Sequence, residues 1–122
     1  MIDSYFSQFD KIINQTDFII SSEIEMRKVN DFLGLIEGKI ILQGGTLDIL
    51  EVIRIKEEMV LKKKYKYHFR KMDNTLIFRY DNAPHHQGIE TFPHHKHLAN
   101  QSVIASQEPD LVQVLLEIKE QE

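Results

Sequence analysis

The chain has 122 residues, 42% of them hydrophobic and 28% charged, with a formal net charge of −4. That is the size and balance of one domain able to bury a core without covalent staples. There is no cysteine, which excludes disulfides and thiolate chemistry and leaves only histidines and carboxylates to make a metal site.

No apolar run approaches the roughly 18 residues of a membrane span, and the N-terminal MIDSYFSQFDK is acidic and amphipathic, unlike a signal peptide. The expectation is a cytoplasmic protein with no membrane contact. No internal repeat, low-complexity tract or linker interrupts the chain, so residues 1–122 are read as a single domain.

Ile2, Tyr5, Phe6, Phe9, Ile12 and Ile13 recur at helical spacing and predict an amphipathic helix over about 3–15. Phe18, Ile20, Ile24 and Met26 then alternate with polar residues, the period of a half-buried strand. Phe32, Ile36, Ile40 and Leu42 continue that alternation, with Gly34 and Gly38 marking bends or a close backbone approach. Gln43-Gly44-Gly45 supplies a turn. Leu47, Ile49, Ile53 and Ile55 return as a strand whose face is broken by Glu51, which suggests a bulge or an exposed end.

YKYHFRKMDNTLIFRYD reads as a hairpin. Tyr65, Tyr67 and Phe69 make one apolar row, and Leu76, Phe78 and Tyr80 make another on the same side of the ribbon. The opposite side collects Lys64, Lys66, His68, Arg70, Arg79 and Asp81. A slip of one residue would mix the two sets, so the pattern fixes the parity of pairing.

A His-rich loop follows, and Ser102 to Ala105 reads as a short edge strand. A final helix has Pro109 in its first turn, with Asp110 near the positive end of the dipole. Its apolar face is Leu111, Val114, Leu115 and Ile118, with Glu117, Glu120 and Glu122 outside it. The expected fold is α+β: a curved antiparallel β-sheet of about five strands with N- and C-terminal helices packed on it.

Charge is unevenly spread: residues 1–53 carry −5, residues 54–71 carry +6 and residues 72–122 carry −5. A basic block can attract a polyanion, although charge alone favours a solvated strand edge kept from aggregating by its lysines.

The stretch YDNAPHHQGIETFPHHKH, Tyr80 to His97, holds five of the six histidines. Arg79 and Asp81 point into it from the hairpin's polar face, and His68 shares that face one strand over. Histidines for proton transfer beside cations for a phosphate are what RNA cleavage needs, because imidazole supplies both protonation states near neutral pH. Taken alone, His68 is more simply a strand histidine paired with Asp81 or a carbonyl.

In an extended segment His85 and His86 face opposite ways, whereas His95 and His97 share a face. A metal held by histidines with Asp81 or Glu90 is sterically feasible, but the spacing matches no zinc pattern, so no metal and no cofactor are expected. There is no nucleophile elbow, phosphate loop or helix-turn-helix in this chain.

KYHFRKMDNTLIFRYDNAPHH, TFPHHKH and EPDLVQVLLEI, with GLIEGKIILQGGTLDILE upstream, resemble the TumE family of toxin–antitoxin proteins. The likeness runs from about Phe32 to Ile118. Gln87-Gly88 departs from it, standing where a proline-containing stretch is expected. The resemblance implies a small toxin neutralised by direct binding of a helix-turn-helix antitoxin encoded by a neighbouring gene. Carried over by motif, its site residues are Tyr67, His68, Arg79, Tyr80, Asp81, Asn82, His85, His86, His94, His95 and His97. Tyr67 and Tyr80 lie on the apolar row and read as core rather than as platforms for bases.

The reading is therefore an endoribonuclease-type toxin working without a metal. His68, Arg79, Asp81, His86, His95 and His97 form the catalytic set, with base and acid drawn from His68, His86, His95 and His97. Lys66, Arg70, Asn82, His85, His94 and Lys96 bind substrate, Lys96 joining Arg79 on the phosphate. RNA is the expected substrate, and homodimer formation is left open. The rival readings are a non-catalytic protein-binding regulator and a metal-dependent nuclease or phosphoesterase.

Overall fold

The computed structural model describes residues 1–121; Glu122, assigned above to the polar side of the last helix, lies outside them. Helix α1 (Ile2–Gln15) precedes seven strands: β1 (Ser21–Asn30), β2 (Leu33–Leu42), β3 (Gly45–Lys56), β4 (Met59–Arg70), β5 (Leu76–Asp81), β6 (His95–Leu98) and β7 (Val103–Ala105). Helix α2 (Leu111–Glu120) closes the order. All seven strands form one open antiparallel sheet in chain order. The α+β class holds, but the sheet has seven strands where about five were expected. The extra pairing is made by β6, in the segment taken for loop, with β7 as the edge foreseen near Ser102.

Over β2 to β5 the period-two pattern sorts the sheet as the sequence implies, but Phe18 and Ile20 precede β1 and Phe32 lies in the turn after it, Ile20 and Phe32 being exposed. Ile36, Ile40, Leu47, Ile49, Tyr65, Tyr67, Phe69 and Phe78 face the helices and pack with Phe9, Ile13, Leu111, Val114, Leu115 and Ile118 in one core. Asp110 is the N-cap of α2, in a capping box with Gln113, so Pro109 precedes the helix rather than opening it. Gly38 allows a close approach: a Cβ there would stand 2.0 Å from the Glu23 carbonyl oxygen.

The register of β3 on β4 shifts between Val52 and Ile53, the expected bulge one residue on from Glu51, but Glu51 is not an exposed end. It is buried within continuous strand β3, where the hydroxyls of Tyr5 and Tyr67 donate to its carboxylate. Both phenols are held above their ordinary range, by burial first and then by Glu51. Lys62 donates to the Tyr67 hydroxyl and the Pro109 carbonyl, each at 2.6 Å. This polar network is satisfied from within, as burial requires.

Candidate functional site

Register places two polar rows on the sheet face away from the helices. One runs Asp48–His68–Arg79–His97 across β3 to β6, and the next runs Lys66–Asp81–His95 across β4 to β6, with Leu50 of β3 beside Lys66. Neighbouring strands lie about 4.8 Å apart, so His68 and His97 flank Arg79 at roughly 10 Å from each other.

Asp81 is the hub. Its Oδ1 accepts from the Ala83 N–H at 3.0 Å and lies 2.9 Å from His95 Nε2. Its Oδ2 accepts from Arg79 Nε at 2.7 Å and stands 3.4 Å from His97 Nε2. Burial pushes this carboxyl upward, but the Ala83 N–H, the Arg79 guanidinium and the His95 ring outweigh it and hold it below the usual range. Arg79 spends Nε on Asp81, leaving the outer guanidinium nitrogens for a ligand.

His95 is buried, and its Nδ1 donates to the Pro93 carbonyl at 2.9 Å. Its Nε2 lies 3.1 Å from His97 Nε2. His86 comes from the β5–β6 loop, which turns back on itself through bonds such as Ile89 N–H to the His86 carbonyl. The His86 ring stands edge-on over His95, centroids 4.7 Å apart, and 5.6 Å from His97. One nitrogen from each of the three rings lies within 4.8 Å of the other two. Burial first, then His95 and Arg79 against the opposing pull of Asp81, hold His97 below its ordinary value.

His68 stands apart from this cluster. Its Nδ1 is buried without a hydrogen-bond partner. Burial, and after it the neighbouring Arg79, keeps the ring below its ordinary value. Cross-strand to Asp81 sits Lys66, which makes no ion pair among the described residues.

The structure thus gathers Arg79, Asp81, His86, His95 and His97, with His68 and Lys66 beside them on the same face. Other expected members are elsewhere. Lys96 alternates with His95 and His97 in β6 and so leaves by the helix face, where it pairs with Glu117 at 2.7 Å and lies over the Tyr80 ring. It cannot share a phosphate with Arg79. His94 lies 2.9 Å from the Tyr65 hydroxyl through Nδ1.

Asn82 is a structural clasp, accepting from Tyr65 N–H and donating to the Lys63 carbonyl. Arg70 is engaged by Asp48 and Asn74, and His85 is exposed. Tyr67 is buried in the core and Tyr80 packs against it, donating its hydroxyl to Glu117.

The convergence of three imidazoles was hidden by spacing. His86 stands nine residues before His95, and only the folded loop brings them together. No described helix is long and apolar enough to cross a membrane. A family model described as Toxin TumE matches residues 9–122. No curated protein matches the chain, and no solved structure matches it.

Proposed function

The chain belongs to the TumE toxin family, and from that premise we propose that it is the toxin of a toxin–antitoxin pair and cuts RNA on the open face of its sheet. The antitoxin is a small helix-turn-helix protein from the neighbouring gene, which neutralises the toxin by covering this face.

One observation carries the reading: the row His68–Arg79–His97, a cation flanked by imidazoles across adjacent strands. In-line displacement at phosphorus needs a proton acceptor on the attacking side, a donor on the leaving side and cations between. The outer nitrogens of Arg79, helped by Lys66, hold the phosphate. His68, kept neutral by burial and by Arg79, takes the 2′-hydroxyl proton. The 2′-oxygen bonds to phosphorus and the bond to the 5′-oxygen breaks. A water held by the cluster of His86, His95 and His97 gives a proton to that leaving oxygen, which departs as a hydroxyl.

Because the three cluster nitrogens converge, they act on one oxygen rather than as a separated acid and base. His68 is therefore the partner on the other side. The products carry a 2′,3′-cyclic phosphate and a free 5′-hydroxyl.

The test is cleavage of end-labelled RNA by purified protein. His68→Ala should lower the rate by about 10²–10⁴-fold, as loss of a proton-transfer group does, and Arg79→Ala by about 10²–10³-fold, as loss of a contact to transition-state charge does. Protein that arrests growth yet cuts no RNA, or cuts it to 5′-phosphate ends, would overturn the proposal and leave the face as a protein-docking surface.

A further inference from the structure

We propose that His86, His95 and His97 hold one divalent transition-metal ion, with Asp81 at its border. His95 has both ring nitrogens engaged. Its Nδ1 hydrogen is committed to the Pro93 carbonyl, which can only accept. Its Nε2 faces the Asp81 Oδ1 at 2.9 Å and His97 Nε2 at 3.1 Å. A ring with its single hydrogen on Nδ1 would thus aim a lone pair at a carboxylate, a repulsive contact unless positive charge stands between them. One extra proton would satisfy the pair of His95 and Asp81. It would not explain why His86, from a separate loop, brings a third nitrogen within 4.8 Å of the other two.

A cation answers all three. Around an ion bound at 2.0–2.1 Å, tetrahedral nitrogens lie roughly 3.4 Å apart, so the 3.1 Å between His95 and His97 is already the right order. The bond from His95 Nδ1 to a backbone carbonyl is the outer-shell contact that fixes the tautomer and aims the ligating nitrogen. Asp81, buried and itself anchored by Ala83 and Arg79, supplies the negative charge that offsets the ion.

Neutral imidazoles without thiolate select zinc, nickel, cobalt or copper over magnesium or calcium. Three protein nitrogens leave the fourth position of a tetrahedral ion open, as at catalytic rather than structural sites. A water there adjoins Arg79 and lies on the side of the phosphate assigned above to the leaving oxygen. Metal binding itself does not depend on that assignment.

The experiment uses the full chain without a polyhistidine tag, stripped with chelator, dialysed and titrated with Zn²⁺ in a calorimeter. One equivalent should bind, and the melting temperature should rise. Co²⁺ in its place should give the intense visible absorption of a four-coordinate ion. His86→Ala, a loop change that spares the sheet, should weaken binding by at least about 10–100-fold, the loss that follows removal of even an outer-shell partner. The exposed neighbour makes the control: His85→Ala should bind as the parent does.

Absence of saturable one-equivalent binding would overturn the inference and leave a shared proton between His95 and Asp81. Equal weakening by His85→Ala and His86→Ala would overturn it too, as generic chelation. RNA cleavage is scored separately. Zinc bound without cleavage supports the metal site and defeats the ribonuclease reading, and cleavage without zinc binding does the reverse.

Discussion

Phe78 and Arg79 are chain neighbours whose side chains leave β5 on opposite faces, so replacing each by alanine separates folding from function. Phe78 is 1% exposed, with its ring centroid 5.6 Å from Phe69 and 5.4 Å from Tyr80. Emptying such a site costs about 3–5 kcal/mol, a large share of the roughly 5–15 kcal/mol that holds a domain folded.

For a chain of 122 residues, 1 kcal/mol moves the melting temperature by about 4 °C. Phe78→Ala should therefore melt roughly 12–20 °C lower. The Arg79 side chain is 36% exposed, and its ion pair with Asp81 is open to water on one side. Such a pair is worth about 1 kcal/mol or less, and the Ala83 N–H still holds Asp81 when it is gone. Arg79→Ala should melt within about 4 °C of the parent while losing growth inhibition. Calorimetric melts of both variants, set beside growth curves after induction, decide the matter. Equal thermal losses, or an Arg79→Ala protein that still poisons cells, would refute the idea of a functional face distinct from the core.

Gly38→Ala would drive a methyl into the Glu23 backbone carbonyl and push β1 from β2. It should cost about 1–3 kcal/mol, as overpacking does; an unchanged denaturation midpoint would contradict that. The His68 ring, held below its ordinary 6.5 by burial and then by Arg79, should titrate below that value by NMR. Because the unfolded chain then binds more protons, its stabilising contribution is complete above about pH 6.5 and is lost as pH falls towards the folded midpoint. Arg79→Gln removes a cation and should raise that midpoint; an unmoved midpoint would remove Arg79 as a cause. Co-expressed with the protein of the neighbouring gene, the chain should elute from size exclusion as one complex at micromolar concentration, and separate elution would defeat the antitoxin assignment.

Where apolar residues alternate over a long run, the sequence was readable. α1, the hairpins of β2 to β5 and the apolar side of α2 followed from period alone, and the parity of Phe78 against Arg79 followed with them. His95–Leu98 carries no such alternation, since HKHL mixes three basic-type side chains with one leucine. The strand is made by its partners, not by its own pattern, and with β6 missed, Lys96 could not be assigned to the face it occupies. Glu51 was visible as an interruption, but the tyrosines that satisfy it come from α1 and β4. The β3–β4 turn takes positive φ at Glu57 and Glu58, positions no glycine announces. The gathering of His86 with His95 and His97 depends on how a loop folds back, which residue spacing does not encode.

Strand order equal to chain order has a kinetic side. Most neighbouring strands are joined by short turns, so their pairing costs little chain entropy. β5 and β6 are the exception, bridged by residues 82–94; closing a loop of that length costs on the order of 2 kcal/mol before any contact repays it. That closure also assembles the histidine cluster. A molecule with β1 to β5 paired under α1 is therefore folded over most of its core yet lacks the cluster, which the last pairing completes. Hydrogen exchange as slow in β6 as in β3 would show that no such intermediate opening exists. Faster exchange there would mean that native molecules lose and regain the cluster without unfolding, a window in which a binding partner could trap the form that lacks it.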